Sequence, residues 1–193
     1  MTALQPIRAL RARISRDAAI EALAGGVAGG VRRLALGPLR SIADVYVPFT
    51  LFRVIVRRGR GEESAVFGID AVAGALDLYR FDGVPRSDEI VEVPTRNHVD
   101  AALPTSVACE ILTARVMRTM YQRVGFIAGG RARVDVQAVG ERVYVPYWIG
   151  FFGRADDASL VVMDAVRRQI EGAKVRRLIA EWIRVTTRPG ASA

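Results

Sequence analysis

The sequence predicts an α+β fold made of two pseudo-symmetric helix-plus-antiparallel-sheet repeats, closing on a C-terminal helix. Three observations predict it. Short motifs recur in order: Tyr46-Val47-Pro48-Phe49 returns as Tyr144-Val145-Pro146-Tyr147, Ile69-Asp70-Ala71-Val72 as Met163-Asp164-Ala165-Val166, and Gly29-Gly30 as Gly129-Gly130. Their offsets of 98, 94 and 100 residues agree apart from small loop differences, as a duplication requires. In each half, apolar residues recur first at helical spacing and then at strand spacing. On this reading residues 1–84 form the first repeat, residues 85–104, rich in Pro, Asp and Glu, the linker, and residues 105–193 the second repeat, with a single merged domain as the alternative.

Each copy opens on a helix. In the first it covers residues 15–23, extended back through Ile7, Leu10 and Ile14 at helical spacing; Ser15 can cap its start and Gly25-Gly26 its end. In the second, Pro104-Thr105-Ser106 starts the helix, Val107, Ile111, Ala114, Met117, Tyr121 and Val124 form its expected buried stripe, and Gly125 closes it. Strands are expected at 32–36, 45–56 and 65–69 in the first copy, and at 131–138, 142–152 and 160–163 in the second. Turns rich in Gly, Arg and Asp separate the last two of each set. A further strand at 76–81 follows Asp70, whereas a charged helix at 164–185 follows Asp164, with Arg167–Glu171 and Arg177–Glu181 at helical pair spacing. Pro48 and Pro146 lie inside strand-like runs. Proline cannot donate a ladder hydrogen bond, so each should mark an edge or a bulge.

Composition narrows the function classes. Hydrophobic residues make up 51% of the 193, enough for a packed core. No run of about 18 apolar residues appears, and the basic N-terminus lacks a continuous apolar stretch, so neither a spanning helix nor a secretory signal is expected. Cys109 stands alone, which excludes an internal disulfide and fits a cytoplasmic compartment. The net charge of +8 is uneven: +8 over residues 1–60, −5 over 61–166 and +5 over 167–193. Basic ends can attract an anionic partner or pair with the acidic middle. Only one of the 28 basic residues is Lys.

Ile14-Ser15-Arg16-Asp17-Ala18-Ala19-Ile20, then strands, then Val66-Phe67-Gly68-Ile69-Asp70-Ala71-Val72-Ala73-Gly74-Ala75-Leu76, resembles the PepSY pattern of a helix opening "IS-x-E-x-A" before a hairpin ending "V-D-A-x-T-G-x-V". The resemblance covers about residues 14–80, with Ala73 where the family usually has Thr. The second copy keeps the hairpin and Met163-Asp164-Ala165-Val166. It implies a cystatin-like topology and a small non-enzymatic module, of the kind found in protease propeptides and extracytoplasmic binding proteins.

No residue constellation points to catalysis. His98 is the only histidine, and a triad with Asp100 and Ser87 or Ser106 can be written, but no nucleophile elbow accompanies it; an exposed loop histidine is expected. The glycines at 25–30 lack the Gly-Lys-Ser/Thr ending of a phosphate loop, and a helix-ending loop is expected there. Asp70 and Asp164 read as turn-folding side chains rather than a carboxylate pair. No cofactor or metal is expected. The candidate binding residues are the aromatics of the repeated hairpins: Tyr46, Phe49, Phe52, Tyr144, Tyr147, Trp148, Phe151 and Phe152. Alternation places Val45, Val47, Phe49 and Leu51 on one strand face and Tyr46, Thr50, Phe52 and Val54 on the other, so the strand is covered on both sides. The expectation is a non-catalytic protein-interaction or assembly module that uses strand edges or an apolar sheet face, with a protein partner or homo-oligomer. The alternative is a hydrophobic small-molecule or lipid-binding protein with a pocket between helix and sheet. A cationic amphipathic helix at residues 7–16 could lie on an anionic membrane surface. Nucleic acid is disfavoured, because the aromatic run at 144–152 carries no basic residue.

Overall fold

A computed structural model describes residues 6–124, 133–154 and 157–187. The chain is α+β, with four α-helices, nine strands in mixed pairing, and a C-terminal helix among the described residues. In order these are β1 (Pro6–Leu10), α1 (Arg16–Ala24), α2 (Gly26–Leu36), β2 (Leu39–Arg58), β3 (Gly61–Asp70), β4 (Tyr79–Phe81), β5 (Ile90–Pro94), α3 (Thr105–Val124), β6 (Arg133–Ala138), β7 (Val143–Arg154), β8 (Asp157–Asp164), β9 (Gln169–Ile170) and α4 (Ala173–Thr186). They form two compact units. The first contains residues 1–47, 91–99 and 144–193, the second residues 48–90 and 100–143, and the boundary falls inside β2 between Val47 and Pro48.

In the first unit β7 runs parallel to β1, with Ala9 opposite Tyr144, and antiparallel to β8, from Tyr147 opposite Asp164 to Arg154 opposite Asp157. Ser15 caps α1 by accepting the Ala18 N–H, as its small hydroxyl suits. Ile14, Ala19 and Leu23 of the α1 segment pack on Phe152, Val161, Met163 and Ala165, with Leu36, Leu39, Ile42 and Trp148 around them. The helix lies so close to the strand that a Cβ on Gly150 would come within 3.1 Å of Leu23 and of Leu39. In the second unit β2 pairs antiparallel with β3 on one side and with β6 on the other, and β3 pairs with β4. Phe52, Val54 and Ile69 pack against Ala108 and Leu112 of α3. On the opposite face of β2, Phe49 meets Tyr79 edge to face at 5.5 Å.

The prolines have a specific place. On one side of β2, Tyr46 bridges in parallel to His98 and Phe49 pairs antiparallel with Asp70; on one side of β7, Tyr144 pairs in parallel with Ala9 and Tyr147 antiparallel with Asp164. Pro48 and Pro146 therefore sit where each strand changes partner, a position that requires no ladder donor. Their carbonyls accept the Ala71 and Ala165 N–H groups at 2.8 and 3.0 Å.

Several expectations are corrected. Residues 32–36 belong to helix α2, not to a strand. Gly25 ends α1 but also starts α2, and the glycines at 26, 29 and 30 are helical rather than a loop. Close approach explains Gly29: a Cβ there would lie 2.2 Å from the Ala24 carbonyl oxygen. Ile7 and Leu10 lie on strand β1, both buried, so residues 7–14 do not extend the helix and present no amphipathic helical face. On α3 the buried residues are Ala108 and Leu112; Ile111, of the expected stripe, and Val116 are half-buried and pack against the same core, while Val107 and Ala114 are exposed. The strand expected at 76–81 is confined to Tyr79–Phe81, because the Leu76 N–H is taken by Asp70. The helix expected from residue 164 begins at Ala173; residues 165–168 form a turn, with Arg168 at φ 63°, and β9 follows, so Arg167 and Glu171 are not helical neighbours. The segment read as a linker carries a 3-10 turn at Ser87–Glu89, strand β5 and the His98 bridge. Gly125, Gly129 and Gly130 lie outside the described residues.

Candidate functional site

Half of the aromatic residues singled out from sequence are buried. In the second unit Phe52 is fully buried in the α3 core and Phe49 packs on Tyr79. In the first unit Tyr147 and Phe152 are buried, whereas Tyr46, Tyr144, Trp148 and Phe151 are half-buried. The Trp148 indole N–H donates to the Ile14 carbonyl at 3.1 Å, which ties the entry of α1 to β7. The eight residues are thus divided between the two units; four are buried, four half-buried, and none is exposed.

A polar cluster does form around Tyr46. Its phenol donates to the Asp44 carboxylate and, through burial first and the Asp44 charge second, has its pKa raised to about 12. Asn97 Nδ2 donates to Asp44 Oδ1 at 3.3 Å, and the His98 ring meets Tyr144 edge to face at 5.9 Å. His98 is half-buried, which corrects the expected exposed loop histidine. A phenol with a raised pKa stays protonated at neutral pH and acts as a donor. It is a poor general base.

The repeated aspartates are consumed by turns. Asp70 Oδ1 accepts the N–H groups of Ala73 and Gly74 and Oδ2 that of Leu76, all within 2.9 Å. Arg115 of α3 donates to the carbonyls of Gly74 and Leu76, locking the same turn from outside. Asp164 Oδ1 accepts the N–H groups of Val166 and Arg167. Among the described residues no three His, Cys, Asp or Glu side chains converge as a metal would need, and no helix is long and apolar enough to cross a membrane.

Helix α2 carries the feature that sequence reading missed. Val27, Val31 and Leu34 are 88%, 60% and 91% exposed. At helical spacing they lie on one line, opposite Gly29 and Leu36, which face inward. Arg32 fixes the helix by donating to the carbonyls of Ala22 and Leu23 at the end of α1, where the helix dipole favours a cation. The i, i+4, i+7 signal was present in the sequence but interrupted by glycines, which argue against a helix on propensity alone. No protein-family model, curated protein or solved structure matches the sequence.

Proposed function

We propose that the chain is a non-catalytic protein-interaction or assembly module, built by internal duplication, whose contact surface is the outer face of α2. The carrying observation is the exposure of Val27, Val31 and Leu34 together on a helix that Arg32 ties to the end of α1. Single exposed aliphatics need no explanation, but a contiguous apolar line is what interaction sites present. The conspicuous polar groups serve folding: Asp70 and Asp164 close turns, and Tyr46 donates to Asp44.

Support for the duplication is geometric. Each proposed copy supplies a proline-bearing strand that takes a parallel partner at its tyrosine, an antiparallel hairpin from the residue after the proline, and an Asp turn closed onto the proline carbonyl. The order of helix before hairpin is in keeping with a PepSY-like module. The alternative, a hydrophobic pocket between helix and sheet, has less support, because side chains fill that space in both units and α1 sits in near contact with Gly150.

The test is a photo-crosslinking amino acid at position 31 of the full chain, with position 84 in the second unit as control. Crosslinks to a defined protein are expected at 31 and not at 84. Leu34→Asp should weaken binding of that purified partner at least tenfold, the scale of one well-packed apolar anchor. Equal crosslinking at both positions, or an unaffected Leu34→Asp variant, contradicts the proposal.

A further inference from the structure

The two units differ in charge. Residues of the first unit carry sixteen basic against nine acidic side chains, a net +7, and those of the second twelve against eleven, a net +1. Much of the excess lies around α4, where Arg167, Arg168, Lys174, Arg176, Arg177 and Arg184 are all exposed. Helix α4 turns Val175 and Ile179 inward, and its helical period brings Lys174, Arg177, Glu181 and Arg184 onto one stripe of the exposed side. From Lys174 to Arg184 the stripe runs about 15 Å at 1.5 Å per residue.

We propose that this stripe binds the phosphate backbone of double-stranded nucleic acid without reading its sequence. The proposal is independent of the α2 surface. Over about 15 Å a duplex presents roughly nine phosphate charges. The guanidinium fork matches phosphate oxygens geometrically, and every cation on this side of the helix except Lys174 is an arginine. The chemistry of the face favours phosphate over other anionic partners. An anionic lipid surface holds a helix through inserted apolar side chains as well as charge, and beside the stripe only Val185 is a large exposed apolar residue of α4. A protein interface core excludes charge and relies on aromatic or aliphatic anchors, which the stripe lacks. The aromatic platforms of single-strand binding are missing from it too, which leaves duplex backbone contact. Glu181 lies within the stripe and repels phosphate, which gives the proposal a signature of its own.

The test is fluorescence anisotropy of labelled duplex DNA titrated with the full chain over a range of salt concentrations, using duplexes of unrelated sequence. The expected result is similar affinity for all duplexes and a slope of log K against log salt of about −3, from three outward cations. Arg177→Gln and Arg184→Gln should each reduce the slope by about 1. Glu181→Gln should tighten binding roughly two- to fivefold, the scale of one surface charge interaction. No duplex binding at low salt, a slope near zero, or binding unchanged in both arginine variants would overturn the proposal. So would a strong preference for one sequence. Binding to vesicles of equimolar phosphatidylglycerol and phosphatidylcholine without duplex binding would assign the stripe to lipid instead.

Discussion

Tyr46, conspicuous in sequence because it stands in a repeated motif, has a half-buried phenol that donates to Asp44. The folded pKa, raised to about 12, lies above the ordinary value of about 10. The protonated phenol is therefore favoured by folding. Its contribution to stability is complete below about pH 10 and is lost as pH rises toward about 12. Asp44→Asn removes the charge and leaves the burial. Absorbance titration of the phenols should show one late-titrating tyrosine moving down, but stopping short of the ordinary value because burial is the larger cause. A return to the ordinary value, or no movement, contradicts that order of causes. Asp70 and Asp164 were legible in sequence because an aspartate at the end of a strand can satisfy its own turn, and the structure has both carboxylates accepting backbone N–H groups. His98 was not legible, because its half-burial depends on a parallel bridge to Tyr46, 52 positions earlier in the chain.

Among the elements, the hairpins read most clearly. Strand alternation with a glycine-rich turn is a local signal, and β2–β3 and β7–β8 occur where it placed them. Helix α2 did not read, because its glycines and valines have poor helix propensity. What holds it is tertiary: Gly29 against the Ala24 carbonyl, Leu36 in the core and Arg32 on the end of α1. Helix α3 was placed correctly in sequence but its rotation only in part: Ile111 packs against the core as expected, whereas Ala108 and Leu112 are buried and Val107 is exposed. The fit of small Ala108 beneath Phe52 and Val54 decides the rotation. Leu112→Ala should cost about 2–5 kcal/mol in denaturant unfolding, as for a filled core site. Val107→Ala, at a position 38% exposed, should cost less than about 1 kcal/mol. The reverse order of costs would restore the rotation expected from sequence.

At the scale of the molecule, the proposed duplication and the compact units cross. The first unit takes its helices α1 and α2 from the first half of the sequence and the hairpin β7–β8 from the second; the second unit takes the hairpin β2–β3 from the first half and helix α3 from the second. A repeat can be read in sequence from recurring motifs alone. Which helix covers which hairpin depends on contacts about 60 residues apart in one unit and about 130 in the other, and periodicity carries no information about them. The arrangement has a direct consequence: neither half of the sequence holds a complete core. Phe152 has its packing partners Ala19 and Leu23 in the other half, as Phe52 has Ala108 and Leu112.

That central claim is tested most directly by expressing residues 1–84 and 85–193 as separate chains and following their unfolding alone and mixed. Each fragment alone should lack a cooperative transition as a monomer, and the mixture should form a one-to-one complex that unfolds cooperatively. A monomeric fragment 1–84 with its own cooperative transition would show that this half folds independently, contradicting a core that each hairpin completes with a helix of the other half.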